Sequence, residues 1–403
     1  MKNRLLIGLA ALSAATPSWA ADVTVTPLID LRLRWENVDQ DGSAEEADAV
    51  TFRARTGAEL SAGDWRLISE AEATIGLVER YFSGLNGKTH FPLVADPDNF
   101  ELNRLQLQYR GLPKTVVTAG RQRINIDDQR FIGSVGWRQN EQTFDAVRLE
   151  HGDSKGLQVD LAYAWSVRTI WGTEGADARQ QAIRGDNAYA SASYPTPIGK
   201  LSAFAFIVDQ DEAIVSAYRQ SSQSYGVRLS GSRPLTHTVK LTYAASYARQ
   251  SDYGKNPNDY RANYALAELG VDIGVLKFGA GYELLGADGG AAFTSFQTPL
   301  ATLHKFQGWA DKFLTTPPNG VQDYYASAGY GWKNAAGFDA ISASLVYHRF
   351  DSARLDFNYG NEWNALISAK KGRWSATAKL AAYDADEFAT DTRKLWLQLE
   401  WAY

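Results

Sequence analysis

The sequence predicts an all-β protein, a transmembrane antiparallel β-barrel of about eighteen strands with about sixteen as the alternative count. Three observations predict it. Apolar and polar residues alternate with period two over repeated stretches, short turns alternate with long polar connections, and aromatic residues collect near strand ends. A soluble β-sandwich also produces the first pattern, but it has no reason to sort its connections by length.

The N-terminus is set apart from these strands. Lys2 and Arg4 precede the apolar run Leu5–Leu12, and the small residues Ser18 and Ala20 stand at −3 and −1 of a cleavage point after Ala20. Residues 1–20 therefore read as a secretory signal peptide, too short for a spanning helix, and residues 21–403 as the barrel. The chain has no cysteine, so disulfides do not brace it. With 41 basic against 46 acidic residues, it has no excess of positive charge to hold nucleic acid.

In Ile29-Asp30-Leu31-Arg32-Leu33-Arg34-Trp35-Glu36 each odd position is apolar and each even one charged. The pattern returns in Phe52–Arg55, Leu105–Arg110, Leu157–Leu161, Val239–Tyr243 and the closing Leu395–Tyr403. Such strands carry one apolar and one polar face.

Short turns fall at Ser61–Asp64, Gly111–Lys114, Gly152–Gly156, Pro195–Gly199, Ser232–Thr236, Asp272–Val275, Lys333–Gly337 and Lys370–Arg373. Between them lie longer connections at 39–49, 80–99, 124–141, 169–186, 210–221, 250–260, 286–321, 351–358 and 385–391. That regular alternation implies periplasmic turns, outer loops and both termini on the periplasmic side. Trp35, Trp65, Trp165, Trp332, Trp374, Trp401 and Tyr403 sit on the apolar parity near strand ends, where interfacial girdles belong. The terminal aromatic resembles the signal read by the outer-membrane assembly machinery.

A barrel of this size encloses an aqueous channel unless something fills it. The polar parity carries Arg32, Arg34, Arg53, Arg55, Arg104, Arg110 and Arg148, among others, with Glu36, Glu70, Glu72, Asp160 and Glu283 on the same face. Of 26 arginines, 14 lie between Arg32 and Arg168, so one wall is arginine-rich. A guanidinium matches a carboxylate as a planar fork, which fits a path for acidic solutes. The same residues could instead pair with neighbouring carboxylates and stiffen the wall.

The segment Gly120–Leu149, GRQRINIDDQRFIGSVGWRQNEQTFDAVRL, resembles the corresponding part of the alginate export family of outer-membrane porins. Thr298–Phe313 and its continuation through Pro317–Gly320 also resemble that family. The resemblance implies an eighteen-stranded barrel with a constricted, arginine-rich pore for an anionic polyuronate. Carried over by position, it puts Arg121, Arg123, Asp127, Asp128, Arg130, Arg138 and Glu141 in the constriction or its gate. Parity leaves Arg121 and Arg123 open: they face the lumen only if Val117 and Ala119 do, or if a bulge rotates them.

The five histidines lack metal-ligand spacing, so no metal site is expected. Acidic clusters at Asp96–Asp98, Asp209–Glu212 and Asp384–Glu387 read as solvated outer loops, with calcium binding the lesser alternative. Neither a serine nucleophile motif nor a glycine-rich phosphate loop is present, so neither enzyme activity nor a cofactor is expected. The leading expectation is an outer-membrane channel for anionic polysaccharide or oligouronate, working in export with periplasmic components. The alternatives are an uptake porin for small acidic solutes and a structural or adhesive barrel plugged by loop 286–321.

Overall fold

The structure, a computed structural model, describes residues 23–213 and 217–403. The signal peptide expected at residues 1–20 lies outside the described residues. Eighteen antiparallel strands run from β1 (Thr24–Gln40) to β18 (Thr392–Ala402), each paired with its neighbours in sequence. Pairing of β1 with β18, in register from Asp30↔Ala402 to Gln40↔Thr392, closes the sheet. Closure removes both sheet edges, the condition for crossing a bilayer with strands.

The eight turns expected from the sequence all join strands at one end of the barrel, from residues 63–64 between β2 (Ala47–Ala62) and β3 (Trp65–Arg80) to residues 372–373 between β16 (Asn358–Lys371) and β17 (Trp374–Ala385). The nine longer connections, here L1 to L9, stand at the other end. Residues 81–98 form L2, 123–142 form L3, 169–181 form L4 and 286–320 form L7.

Alternation sorts the side chains. Leu33, Leu107, Leu161, Leu269, Leu345 and Leu397 turn outward and are exposed on a sheet whose other face holds buried Arg34, Thr51, Ser202 and Lys379. Trp65, Trp165, Trp332, Trp374 and Tyr403 are exposed on the outer face, as the girdle reading requires.

Two strands are short: β5 (Thr115–Gln122) and β6 (Thr143–His151) have 8 and 9 residues against 17 in β1. L3 leaves between them, so it enters the lumen below the rim. A bulge aids its docking. Glu70 pairs with Arg104 and Ala71 with Leu102, so Asn103 of β4 (Asn99–Leu112) is the extra residue, and Asn103 and Arg104 both reach Glu70.

An arginine placed at Leu397, in the middle of β18 and facing outward, should cost about 2–4 kcal/mol, as charges near a bilayer midplane do. Placed at the neighbouring lumen position Gln398, it should cost much less. Urea unfolding in lipid vesicles, followed by tryptophan fluorescence, measures both; equal losses would contradict the assigned faces.

Candidate functional site

L3 and L7 fold into the lumen and meet there. Residues 123–127 at the start of L3 alternate polar and apolar like a strand, and its Ile124, Ile126 and Ile132 are buried in one core with Phe144, Tyr189, Phe204 and Phe206 of the wall. L7 adds Phe296, Leu300, Ala310 and Phe313 to the same core. Half-buried Phe131 packs against it, with ring centroids 4.9 Å from Phe204, 5.3 Å from Tyr264 and 5.9 Å from Phe296. Burial of these side chains drives the loops inward, each large one contributing about 1.5–3 kcal/mol.

Hydrogen bonds join the two loops directly. Gly133 N donates to Leu300 O at 2.9 Å, Thr302 N to Gln129 O at 3.1 Å and Gln142 Nε2 to Leu300 O at 3.1 Å. The junctions also concentrate backbone strain: Asp127, Gln129 and Val135 in L3 and Gln307 and Asp311 in L7 have positive φ. For β-branched Val135, at φ 53°, this costs on the order of 1–3 kcal/mol. Its N–H donates to Thr302 Oγ1 at 3.1 Å, so the L7 contact holds it there.

The arginine wall holds the inserted backbone. Arg32 pairs with Glu400 and donates to the carbonyls of Gly136, Trp137 and Arg138 at 3.0–3.3 Å. Arg34 binds Gln398 Oε1 and Trp137 O, with its guanidinium 4.2 Å from the Trp137 ring centroid. Arg55 meets Glu72, lies 3.3 Å from Glu141 and donates to Gln139 O. Arg53 pairs with Asp30, while its Nε and second amino group have no hydrogen-bond partner among the described residues. Without such donors, the carbonyls of a loop buried in the lumen would be orphaned.

Within L3, Arg123 binds Glu141 and Glu70, and Arg130 binds Glu283 at 2.6 Å, Thr298 Oγ1 at 2.8 Å and Gln307 Oε1 at 3.1 Å. Arg138 reaches Asp311 of L7 at 2.7 Å. The loop tip is tied at the turn end of the barrel, where Asp127 meets Lys200 and Asp128 lies 3.0 Å from Arg228. Burial alone would raise the Glu141 carboxyl, but Arg55 and Arg123 outweigh it and bring it down to about 2. Burial would likewise lower the Arg130 guanidinium, yet Glu283 more than compensates, so Arg130 stays charged.

A cavity of about 710 Å³ lies below L3 at the turn end, lined by Gln108, Arg110, Asn125, Asp127, Asp160 and Lys200. Another of about 450 Å³ lies at the loop end, lined by Arg138, Leu300, His304, Asp311 and Lys394. L3 spans from one to the other. Arg110 is exposed, Arg148 is bound to Asp160 at 2.6 Å and Arg104 to Glu70 at 2.7 Å. The Arg123 side chain keeps 29% of its surface accessible, the most of the L3 residues singled out in the sequence whose ion pairs are described here.

One of the residues predicted for the site lies elsewhere. Arg121 pairs in register with Leu105, which is exposed on the outer face, and with Asp145. No bulge intervenes between it and Val117, so Arg121 points out of the barrel, ion-paired to Asp145 at 2.7 Å. Arg123 lies past the strand end and turns inward with L3. The acidic cluster at Asp96–Asp98 is solvated only at Asp98. Asp96 is buried, accepts from Gln139 N at 2.8 Å and lies 3.4 Å from Arg34, while Asp98 accepts from Gly76 N at 2.6 Å. No group of side chains suited to a metal ion occurs among the described residues.

Sequence reasoning missed His304, Asp311 and Lys379 as partners of L3, and Lys394 as the wall residue that holds Asp311. His304 and Asp311 stand in the second motif, and the contact between the two motifs was the signal not used.

A model of the alginate export family matches residues 30–286, more than half of the chain. The chain belongs to the alginate export family. The match takes in the L3 motif, while Thr298–Gly320 lies beyond it. No curated protein matches in sequence. In fold, this alginate export family member is similar to Acinetobacter baumannii OccAB4, with 15% identity over 96% of this chain and 100% of that one and a TM-score of 0.69. It is also similar to Pseudomonas aeruginosa OpdO (16% identity, 94% and 97% covered, TM-score 0.70) and OpdK, solved with vanillate (13%, 94% and 98%, 0.67). Identities this low speak to the fold alone. Family and fold together make the chain an outer-membrane porin of a Gram-negative bacterium, with its turns periplasmic and its loops external.

Glu141 lies below the ordinary carboxyl value of 4.5 when folded, so the anchoring it gives is complete above pH about 4.5 and is lost as the pH falls toward 2. Channel noise contributed by L3 should therefore be constant from pH 8 to 5. Glu141→Gln, which leaves Arg55 only Glu72 and Arg123 only Glu70, should show at pH 7 the noise the native protein shows only near pH 2–3. Planar-bilayer recording checks this, and an identical trace for the variant would refute the anchoring role.

Proposed function

We propose that the barrel is a diffusion channel for small anionic solutes, carboxylates and short oligouronates among them. The observation that carries this reading is the position of Arg123. It stands where L3 leaves the wall, with 29% of its side chain accessible, two residues before Asn125 in the lining of a chamber that also holds exposed Arg110 and half-buried Lys200. A carboxylate entering that chamber can replace Glu70 or Glu141 as the partner of Arg123 and be handed on by exchange of bidentate pairs.

The apolar core shared by L3 and L7 favours small solutes over polymer, because it fills lumen that a polysaccharide chain would need. The vanillate bound to OpdK, itself a carboxylate, agrees in chemical class. Export of an anionic polysaccharide is the second reading, supported by the family match. It requires L3 and L7 to swing aside together. No catalytic role is assigned, and transport runs down the solute gradient.

In planar bilayers the purified protein should conduct with anion preference and be blocked by uronate monomers and dimers. A charge-assisted hydrogen bond is worth about 1.5–3 kcal/mol, so Arg123→Ala should raise the half-blocking uronate concentration about tenfold or more. Arg121→Ala should leave it unchanged. Cation selectivity in the native protein would overturn the proposal. Block by long polyuronate, with none by monomers, would select the export reading.

A further inference from the structure

Lys379 of β17 places its Nζ deep in the lumen, and nothing in the passage of anions described above uses it. Its Nζ lies 4.0 Å from the ring centroid of Trp137 in L3, 3.9 Å from that of Trp309 in L7 and 5.4 Å from that of Trp396 on β18. It donates to His304 Nε2 at 2.6 Å. The His304 ring stacks on Trp137 at 4.9 Å, nearly parallel, and its Nδ1 is 2.7 Å from Asp311 Oδ1. Asp311 is held in turn by Arg138 at 2.7 Å and Lys394 at 3.0 Å.

Three elements thus converge on one amino group. An amino group set over two indole faces is attracted by their quadrupoles. The chain Asp311–His304–Lys379 also fixes the tautomer: Nδ1–H donates to the carboxylate and Nε2 accepts from the lysine. Arg34, His304 and Lys379 all pack against the Trp137 ring, which leaves little of it for stacking a sugar. The cluster is built to hold parts of the protein together.

Near it, Glu362 of β16 accepts from the N–H groups of Trp309 and Ala310. Gly308, at φ 78°, permits this, since a Cβ there would stand 2.3 Å from Glu362 Oε2. L7 is therefore fastened to the same part of the wall by two adjacent devices.

We propose that Lys379 is a positioning residue for conduction: its side chain clamps Trp137 of L3 and Trp309 of L7 to the β17 wall, and so sets the cross-section that the inserted loops leave open. The proposal rests on the channel reading. Both loops are gripped at one point, so releasing it frees them together, the movement that passage of a larger solute needs.

His304 is the titratable member of the clamp outside the strands. It is faced by Asp311 from its own loop, Lys379 and Lys394 from the wall and Arg138 from L3, with Arg34 and Glu36 behind Trp137 and Arg138. Burial keeps its imidazole from taking a proton until well below the usual histidine range. A proton there would remove the acceptor for Lys379 and add a cation beside three others, so acid weakens the clamp.

The test uses the full barrel with Lys379→Met, Lys379→Arg and Trp309→Leu. Lys379→Met should raise single-channel conductance at least twofold and increase iodide quenching of tryptophan fluorescence, with the barrel still folded by its heat-modifiable migration. Lys379→Arg, which keeps a cation against the rings, should restore most of the native values. If Lys379→Met fails to fold, Trp309→Leu, which leaves the wall intact, should show the same two changes. Native conductance and quenching in a folded Lys379→Met or Trp309→Leu barrel would overturn the proposal. Should the native protein not conduct at all, the channel reading falls, while iodide quenching still decides whether Lys379 clamps the loops.

Discussion

A loop that enters the lumen of a barrel takes its backbone amides and carbonyls away from bulk water, and each must find a partner. The arrangement of L3 follows from that constraint. Guanidinium groups of Arg32, Arg34 and Arg55 take the carbonyls of residues 136–139, Asp96 takes the N–H of Gln139, and L7 takes the backbone of residues 129–135. The arginine-rich wall is in large part a set of donors for an inserted segment. Its charge is balanced locally by Glu72, Glu70, Asp30, Glu400 and Glu141.

That balance alters what an arginine count means. Fourteen arginines in one third of the chain suggest an open positive channel, but buried guanidiniums with carboxylate partners present little field to a passing solute. Selectivity then depends on the few that keep accessible surface and exchangeable partners. Arg123 is such a residue because it sits at the loop's root, where the wall ends and water still reaches it. The sequence allowed both roles for the arginines, and the structure divides them between the two.

The two stretches that resemble the alginate export family are the two loops that meet in the lumen. Their sequences are unusual for loops, with regularly spaced isoleucines in L3 and a run of aromatics in L7, because both loops bury a face. Strained residues at the junctions, Val135 above all, add to this picture. Backbone strain persists only where surroundings over-determine it, and here the surroundings are another loop rather than the barrel. The pair therefore behaves as one unit, held to the wall at a few points, Lys379 and Glu362 among them.

By itself the sequence determined the strands, a count of about eighteen, which connections are short and which long, and the inward parity of most of β1 to β4. Period-two alternation and turn chemistry are local properties, and closure of the sheet follows from them. Tertiary structure alone decided that Arg121 points outward, that Asp96 is buried under L3, and that Arg130, Arg138 and His304 find partners in or beyond L7. These contacts join residues far apart in the chain through loop paths that obey no periodicity. The Gly120–Leu149 segment shows both limits: its charges marked it as functional, yet which of them pair, which face water and which leave the barrel depended on where L7 lay.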